Sequence, residues 1–368
     1  MRGSCILINS EKVALAKELY SHHKKWVPAA SFIVGFVFDL FTLGRIDSMA
    51  NLAVQFLYII LIFVLLSYSL FAEHTEYQIP EKWMKAYSYK DEAVHFLMGS
   101  LFSSYLIFYF KSSSFWASFF ILALLVLALL ANETKQLRKS SIVLKFILFY
   151  FCALSFLLYF VPIILKNIGI ISFILTVMLF TGLLFAHRWS YKKWIPQFEF
   201  KSNVLKPNLI FLVVFVLLYV AHFIPPVPLY VNKIGIYHKL EQKKDSYYFS
   251  YQRDWWKFWQ DGAQDFVFAK DGSLYCFASV FSPSNFDDHV VFHWRYKTAN
   301  NGWMTADRIQ IKINGGRDQG FRAYSKKSKA TEGEWQVLIE TLRGREIGRI
   351  SFEVSRGELD GEWKTDIF

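Results

Sequence analysis

The sequence predicts a membrane-embedded bundle of about seven α-helices followed by an all-β domain, an antiparallel immunoglobulin-like sandwich. Three observations predict this fold. Hydrophobic residues make up 54% of the 368 residues and charged residues only 19%, below the ~25% of an ordinary globular domain. Long apolar runs fill the first 224 residues. After residue 247 apolar residues recur at every second position, which is the period of a β-strand.

Seven runs are long enough, or nearly so, to cross a bilayer, which takes about 20 apolar residues because unpaired backbone amides are costly in hydrocarbon. So many runs leave too little polar chain to cover a soluble core. We predict a transmembrane domain over 26–224, preceded by a cytoplasmic segment over 1–25. The predicted spans are Trp26–Gly44, Leu52–Phe71, Ala93–Phe110, Phe115–Ala131, Ile142–Leu165, Gly169–His187 and Asn208–Ile224.

Lysine and arginine residues in the loops predict the orientation. Sixteen lie in the N-terminal segment and in loops on its side of the membrane, whereas the opposite loops hold three, Arg45, Lys111 and Lys166. Because cytoplasmic loops carry the excess of positive charge, we predict a cytoplasmic N-terminus. Seven crossings then place the C-terminal domain on the far side of the membrane.

The net charge of +11 does not predict a nucleic-acid partner. Residues 1–224 carry 20 basic and 11 acidic side chains, and residues 225–368 carry 21 and 19. The surplus is therefore mostly loop charge that faces anionic lipid headgroups, while the outer domain is near neutral.

The C-terminal region divides into three predicted segments. Prolines at 225, 226 and 228 end the last helix and start a connector over 225–246. The β-sandwich follows over 247–356, with a tail over 357–368. In DHVVFHWRYK the inward residues are Val290, Phe292, Trp294 and Tyr296, while SLYCFASVF is apolar on both faces, as a central strand would be.

Two features of this domain have interpretations of their own. Cys276 shares a strand face with apolar residues, so we expect a buried, unreactive thiol and no disulfide. The aromatic group Trp255, Trp256, Phe258 and Trp259 either rests on the outer membrane interface or closes one end of the sandwich core. We favour the core.

The C-terminal stretches FHWRYKTANNGWMTADRIQIKINGGRDQGFRAYSKK and GEWQVLIETLRGREIGRISFEV resemble a bacterial family catalogued only as a domain of unknown function. The segments FVFDLFTLGRID, GSLFSSYLIFYFKSSS and FIPPVPL are similar to the membrane region of its polytopic members. The resemblance covers about residues 30 to 355. It implies a bacterial inner-membrane protein with a periplasmic β domain, and it implies no activity.

A polar group at the outer end of the predicted bundle is one candidate site. Asp39 lies inside the first span, where a carboxylate costs roughly 2.5–3.5 kcal/mol and is expected to face the bundle interior. Such a group could relay protons or ions or hold a polar headgroup, or it could serve structure alone. Its members are Asp39, Arg45, Asp47, Asn51, Gln55 and His222.

A second candidate is a recognition face on the β domain. A basic strand face suits binding, although such faces are more often only solvated. Its members are His293, Arg295, Lys297 and Arg322. No Ser-His-Asp arrangement and no GxxxxGK[ST] run is present, and the single Glu92-x-x-His95 motif is too little for a metal site of the helix-bundle type. We therefore predict no metal or cofactor.

We expect a non-enzymatic membrane protein whose periplasmic domain recognises an envelope protein or polymer. Two alternatives stay open: a transporter or channel that uses the polar group containing Asp39, and a lipid-acting enzyme that uses Glu and His residues near the cytoplasmic helix ends. Besides the bilayer and the envelope partner, the sequence leaves homo-oligomerisation open.

Overall fold

The computed structural model describes residue 37 and residues 43–75, 80–112, 119–133, 142–196, 198–244, 246–269, 272–283, 286–298, 302–316, 319–357 and 362–368. Helices come first along the chain and strands follow. Asp39 and most of the predicted first span lie outside the described residues. Five described helical segments are long and apolar enough to cross a membrane, so the count of seven stays a prediction.

The helices are numbered in chain order. They are α1 (Met49–His74), α2 (Glu81–Tyr87), α3 (Lys90–Lys111), α4 (Phe119–Glu133), α5 (Ile142–Leu165), α6 (Ile170–Trp194) and α7 (Lys206–Val220). A π-helical turn over Lys201–Leu205 leads directly into α7, and the five candidate spans are α1, α3, α5, α6 and this turn together with α7.

Helix α5 is the centre of the bundle, and it packs against α1, α3, α6 and α7. Residues 149–156 make about two turns of α5, and every one of them is buried. A helix that is apolar around its whole circumference belongs inside a bundle, and α5 has that composition. On α3, Ser103 and Ser104 are buried as well, in keeping with the close helix packing that small residues allow.

The strands form three sheets in the described residues. They are β1 (Tyr230–Tyr237), β2 (Lys239–Lys243), β3 (Ser246–Gln252), β4 (Asp265–Phe268), β5 (Leu274–Phe281), β6 (Asp287–Thr298), β7 (Gly302–Asn314), β8 (Phe321–Lys327), β9 (Gly333–Thr341), β10 (Glu346–Arg356) and β11 (Trp363–Ile367). The sheet orders are β1-β5-β8, β4-β10-β9-β6-β7 and β11-β3-β2. Strands β4 and β10 are parallel, so the prediction of a wholly antiparallel domain is wrong at this pair.

Strand β5 lies in the middle layer of the β domain. Toward the five-stranded sheet, Trp294 on β6 donates from Nε1 to Ser325 Oγ, 3.0 Å away on β8, and Ser325 pairs with Cys276 on β5. On the opposite face, the Phe277 ring lies 4.8 Å from that of Phe249 on β3. Both faces of β5 are therefore covered, which is why its sequence is apolar at successive positions.

Two predicted boundaries of the β domain are corrected by the structure. The predicted connector over 225–246 contains all of β1 and β2, and residues 230–237 pair with β5 although their pattern is partly polar. The predicted tail over 357–368 contains β11, which pairs with β3. Phe368 and Tyr247 also exchange two backbone hydrogen bonds of 2.9 Å. Both segments are short or polar at alternate positions, so their apolar pattern is weak.

Candidate functional site

The predicted polar group separates into three places in the structure. Arg45 and Asp47 form a two-point ion pair, Nε to Oδ1 at 2.9 Å and Nη2 to Oδ2 at 2.8 Å. Asn51 donates from Nδ2 to the Arg45 carbonyl oxygen at 3.2 Å. These three residues are brought together where the chain enters α1. The other described members, Gln55 and His222, lie elsewhere.

Gln55 belongs to the bundle core rather than to the Arg45 pair. Its side chain is buried, and its Oε1 accepts a hydrogen bond from the hydroxyl of Tyr159 on α5. His222 is exposed in the turn after α7, with a left-handed φ of 63°. The next amide, of Phe223, donates to the carbonyl of Leu218, so His222 occupies the helix-ending position where glycine is usual.

The Arg45 pair lies at the junction between helices and strands. The Arg45 guanidinium is 5.1 Å from the centre of the Phe281 ring at the end of β5. Phe281 stacks in turn on Tyr230, with ring centres 4.4 Å apart. Burial raises the pKa of Tyr230 to about 12, with Arg45 lowering it and Asp47 raising it. The charged pair therefore helps to seat the β domain on the helices.

A second arginine also makes a contact between the helices and the β domain. Arg345, in the turn between β9 and β10, is buried, and its guanidinium lies 3.5 Å from the centre of the Tyr219 ring on α7. Burial lowers the pKa of Arg345. Arg45 and Arg345 thus each lie over an aromatic ring across the junction, an arrangement that favours a cation at both positions.

The predicted recognition face is not one surface, and this prediction is corrected. His293 is 8% exposed; its Nδ1 lies 3.0 Å from Glu340 Oε1 and its Nε2 lies 2.8 Å from Thr305 Oγ1. Arg308 Nη2 donates to the other oxygen of Glu340 at 3.1 Å. His293 is therefore a member of an internal hydrogen-bond network rather than part of an exposed face.

The remaining members of that face lie apart. Arg295 stacks over Trp303 at 5.8 Å, and Lys297 pairs with Glu334 at 2.7 Å. Arg322 is on β8, in a different sheet from β6. A period of two identifies residues on the same side of one strand, but it does not identify the sheet to which a strand belongs.

A groove that the sequence does not predict lies at the end of the β domain that is farther from the helices. We call it the Trp335 groove. It has a volume of 670 Å³. The rings of Tyr296 and Trp335 are 5.4 Å apart, and Lys327 lies 5.3 Å from the centre of the Trp335 ring. The lining comprises Phe268, Ala269, Tyr296, Lys327, Ser328, Lys329, Ala330, Thr331, Trp335, Arg356 and Gly357.

The charge of the Trp335 groove has one sign. Its lining includes Lys327, Lys329 and Arg356 and no Asp or Glu among the described residues. Lys327 is paired with Asp307 outside the lining, and Arg356 is 3.7 Å from Glu332 at an exposed position. The spacing of β10 places the groove about 35 Å along the strand from Arg345 and the junction. No spacing in the sequence signals it, because its residues come from β4, β6, β8, β9 and β10.

Three further features of the described residues concern the aromatic loop at Trp255, the thiol of Cys276 and the grouping of metal-ligating side chains. Trp255 is 86% exposed and Phe258 is 79% exposed, so the core interpretation of this loop is wrong. The thiol of Cys276 is buried as expected, and burial raises its pKa. Within the described part of the chain no three His, Cys, Asp or Glu residues are grouped as a metal site would need.

Sequence comparison supports the family resemblance for part of the chain. Residues 287–354 match a family described as "Protein of unknown function (DUF2914)". This match includes β6 to β9 and most of β10. No curated protein matches the chain.

Structural comparison finds remote similarities. An immunoglobulin-like protein from Pseudomonas aeruginosa is 8% identical, with 35% of this chain and 98% of that chain covered and a TM-score of 0.21. A β-glucosidase from Listeria innocua in complex with glucose is 10% identical, with 31% and 17% covered and a TM-score of 0.19. An alkylpurine DNA glycosylase from Pseudomonas fluorescens bound to DNA is 9% identical, with 74% and 66% covered and a TM-score of 0.22. At these scores the similarities carry no argument.

Proposed function

We propose that this chain is a non-enzymatic protein of a bacterial inner membrane whose β domain binds an acidic polymer of the envelope in the Trp335 groove. The N-terminus is cytoplasmic, the helices cross the bilayer and the β domain lies in the periplasm. The single observation that carries the proposal is the composition of the groove: two exposed cations, Lys329 and Arg356, near the half-buried ring of Tyr296, with no carboxylate in its described lining.

The chemistry of the groove favours a polymer of acidic sugars. The half-buried ring of Tyr296 offers an apolar surface against which the C–H face of a sugar ring can pack, and Lys and Arg bind carboxylates or phosphates. The groove is partly open to solvent, as the binding of a segment of a long polymer requires. Its distance from the junction, about 35 Å of strand, would keep such a chain away from the bilayer surface.

Binding can be tested with the full chain in detergent micelles, a linear polyuronate and the uncharged polymer dextran. We expect binding to the polyuronate that weakens as salt is added, because exposed charges are screened. The double variant Lys329→Glu/Arg356→Glu should reduce the affinity at least ~10-fold, since each reversal replaces attraction by repulsion. Both side chains are exposed, so folding should be unaffected.

A matched control keeps the net charge change equal. Lys244→Glu/Lys312→Glu reverses two exposed lysines of the β domain that do not line the groove. Equal losses in the two double variants would show that the polymer senses only the overall charge. Equal binding of dextran would show that the cations have no role. Capture of a protein by crosslinking in the intact envelope, without polymer binding in solution, would also contradict the proposal.

The topology has a separate test. A reporter that fluoresces only in the cytosol, fused after Phe368, should stay dark, and the same reporter fused before Met1 should be bright. A bright C-terminal fusion would place the β domain in the cytoplasm and remove the envelope polymer as its ligand.

A further inference from the structure

A second pocket lies between the last turns of α6 and the start of α7. This end of the two helices is the one farther from their junction with the β domain. The pocket has a volume of 390 Å³. The last turns of α6 provide Arg188 and Lys192, and the π-helical turn and the first residue of α7 provide Lys201 and Lys206. We call it the Arg188 pocket.

The four cations of the Arg188 pocket have no carboxylate partner among the described residues. One acidic residue, Glu199, is in the described lining, and its Oε2 accepts a hydrogen bond from Ser202 Oγ at 2.9 Å. The described lining therefore has four basic side chains against one carboxylate, an excess of three positive charges. Elsewhere the lysines of the β domain commonly have acidic partners, as Lys257 does with Asp254 and Asp265. Unpaired cations around a concavity favour an anionic ligand.

The surroundings of the pocket fit the headgroup layer of a membrane. Trp189 and Trp194, at the same end of α6, are 73% and 63% exposed, and tryptophan concentrates where hydrocarbon meets water. Ile210 and Val213, one to two turns into α7, are 67% and 60% exposed and apolar. A side chain that is exposed and apolar beside a tryptophan belt is expected to contact acyl chains.

We propose that the Arg188 pocket binds the phosphate-bearing headgroup of an anionic phospholipid. Basic pockets between helices at the cytoplasmic face suit such headgroups, because the phosphate is neutralised while the acyl chains lie along the exposed apolar helix surface. The inference rests on the membrane location in the proposed function and is independent of the Trp335 groove. A free phosphate ion has the same charge but gains nothing from the apolar surface beside the pocket.

The test counts lipids that stay bound to the full chain. Protein in neutral-detergent micelles is titrated with phosphatidylglycerol or with phosphatidylcholine, and bound lipid is counted by native mass spectrometry. We expect phosphatidylglycerol to be retained at least ~10-fold better than phosphatidylcholine, which shares its acyl chains and phosphate but has no net charge. The variant Lys201→Gln/Lys206→Gln should lower the retention by about 25-fold, taking roughly fivefold for each cation near the headgroups.

The control Lys85→Gln/Lys193→Gln removes two exposed lysines that do not line the pocket and that the predicted topology places on the same side of the membrane. It should retain the lipid as the unaltered protein does. Equal loss in both variants would reduce the effect to general charge attraction and overturn the site. Inorganic phosphate that displaces the lipid at millimolar concentration or binds as tightly would overturn the lipid assignment in favour of a soluble anion. Because purified protein is used, neither the orientation nor polymer binding in the Trp335 groove affects the result.

Discussion

The helices and the β domain expose apolar side chains in different ways. On the helices the exposed apolar residues run along the spans, for example Ile60 and Val64 on α1 and Val213 and Leu217 on α7. On the β domain the largest exposed group is confined to one loop, where Trp255, Trp256, Phe258 and Trp259 follow one another. A continuous apolar surface is stable only in an apolar medium. A local apolar patch can instead be covered by a contact of small area with another molecule.

The two regions also differ in the polar groups that they bury. In the helices the buried polar contacts join neutral side chains, such as Tyr159 with Gln55 and Tyr150 Oη with His187 Nδ1 at 2.5 Å. In the β domain a charged carboxylate, Glu340, is 6% exposed and is held by two partners. This difference is expected if lipid surrounds the helices, because a charge that must leave water for hydrocarbon costs more than a neutral group.

Replacing buried Trp294 should have the largest effect on stability. Trp294 is fully buried between the sheets, so Trp294→Ala should lower the free energy of unfolding by about 3–5 kcal/mol. Trp255→Ala, at an 86% exposed position, should change it by less than ~0.5 kcal/mol. Loss of β-sheet circular dichroism on heating of the full chain measures both. A similar loss of unfolding free energy in the two variants would show that the exposed loop contributes as much to stability as the core does.

A charge placed on the helix surface distinguishes lipid from water around it. Val213 is near the middle of the segment over 201–220, and Val213→Arg should cost about 2.5–3.5 kcal/mol of insertion free energy. Ile309→Arg, at an exposed position on β7, should cost less than ~0.5 kcal/mol. The fraction of protein recovered in membranes measures both. Normal recovery of the Val213 variant would mean that water rather than lipid surrounds α7.

The sequence predicts regular elements well where one physical pattern dominates. Long apolar runs correctly predict α1, α3, α5 and α6, and strict alternation correctly predicts that Val290, Phe292 and Trp294 face the core. The pattern fails for edge strands: β2 and β11 are short, and much of each is solvated, so they lack a clear apolar face. The Phe368 ring meets the Phe277 ring edge to face, with ring centres 5.4 Å apart, but no local feature of the sequence predicts this long-range contact.

The candidate sites were harder to predict than the elements, for a geometric reason. A sequence shows charge but not its partner, so His293 could not be recognised as hydrogen-bonded to Glu340, 47 positions away. Likewise the Trp335 groove unites residues that are up to 89 positions apart, Phe268 and Gly357. The part of the polar group that the sequence does predict, Arg45 with Asp47 and Asn51, is the part that is local in the chain.

Two carboxylates of the β domain, buried Glu340 and exposed Glu334, allow the effect of burial on the stability of an ion pair to be compared. Glu340→Gln removes the charge that both His293 and Arg308 contact, and it should cost about 1.5–3 kcal/mol, the range for hydrogen bonds to charged groups. Glu334→Gln removes the partner of Lys297 at an exposed position and should cost less than ~1 kcal/mol. Denaturant unfolding of the full chain in micelles compares them. Equal costs would mean that Glu340 is solvated when the protein is folded.

A pH dependence of stability should arise from His238. Burial beside Phe266, whose ring lies 4.0 Å away, lowers the pKa of His238 to about 4 from 6.5, although a hydrogen bond to the Val267 carbonyl opposes the shift. Between these pH values the unfolded chain binds more protons than the folded chain, so stability falls as the pH falls from about 6.5 toward 4. At pH 5 the loss should be about 1–2 kcal/mol, since one pKa unit corresponds to ~1.4 kcal/mol.

The variant His238→Gln isolates this contribution, because glutamine does not titrate. Asp261 works in the opposite direction, since burial raises its pKa and favours the folded state at low pH, but it is present in both proteins and cancels in the comparison. The difference in unfolding free energy between pH 7.5 and pH 5 should therefore be smaller in the variant by ~1–2 kcal/mol. Identical pH profiles would mean that the His238 ring stays in contact with water, and that this part of the β domain is less tightly closed than the core around Trp294.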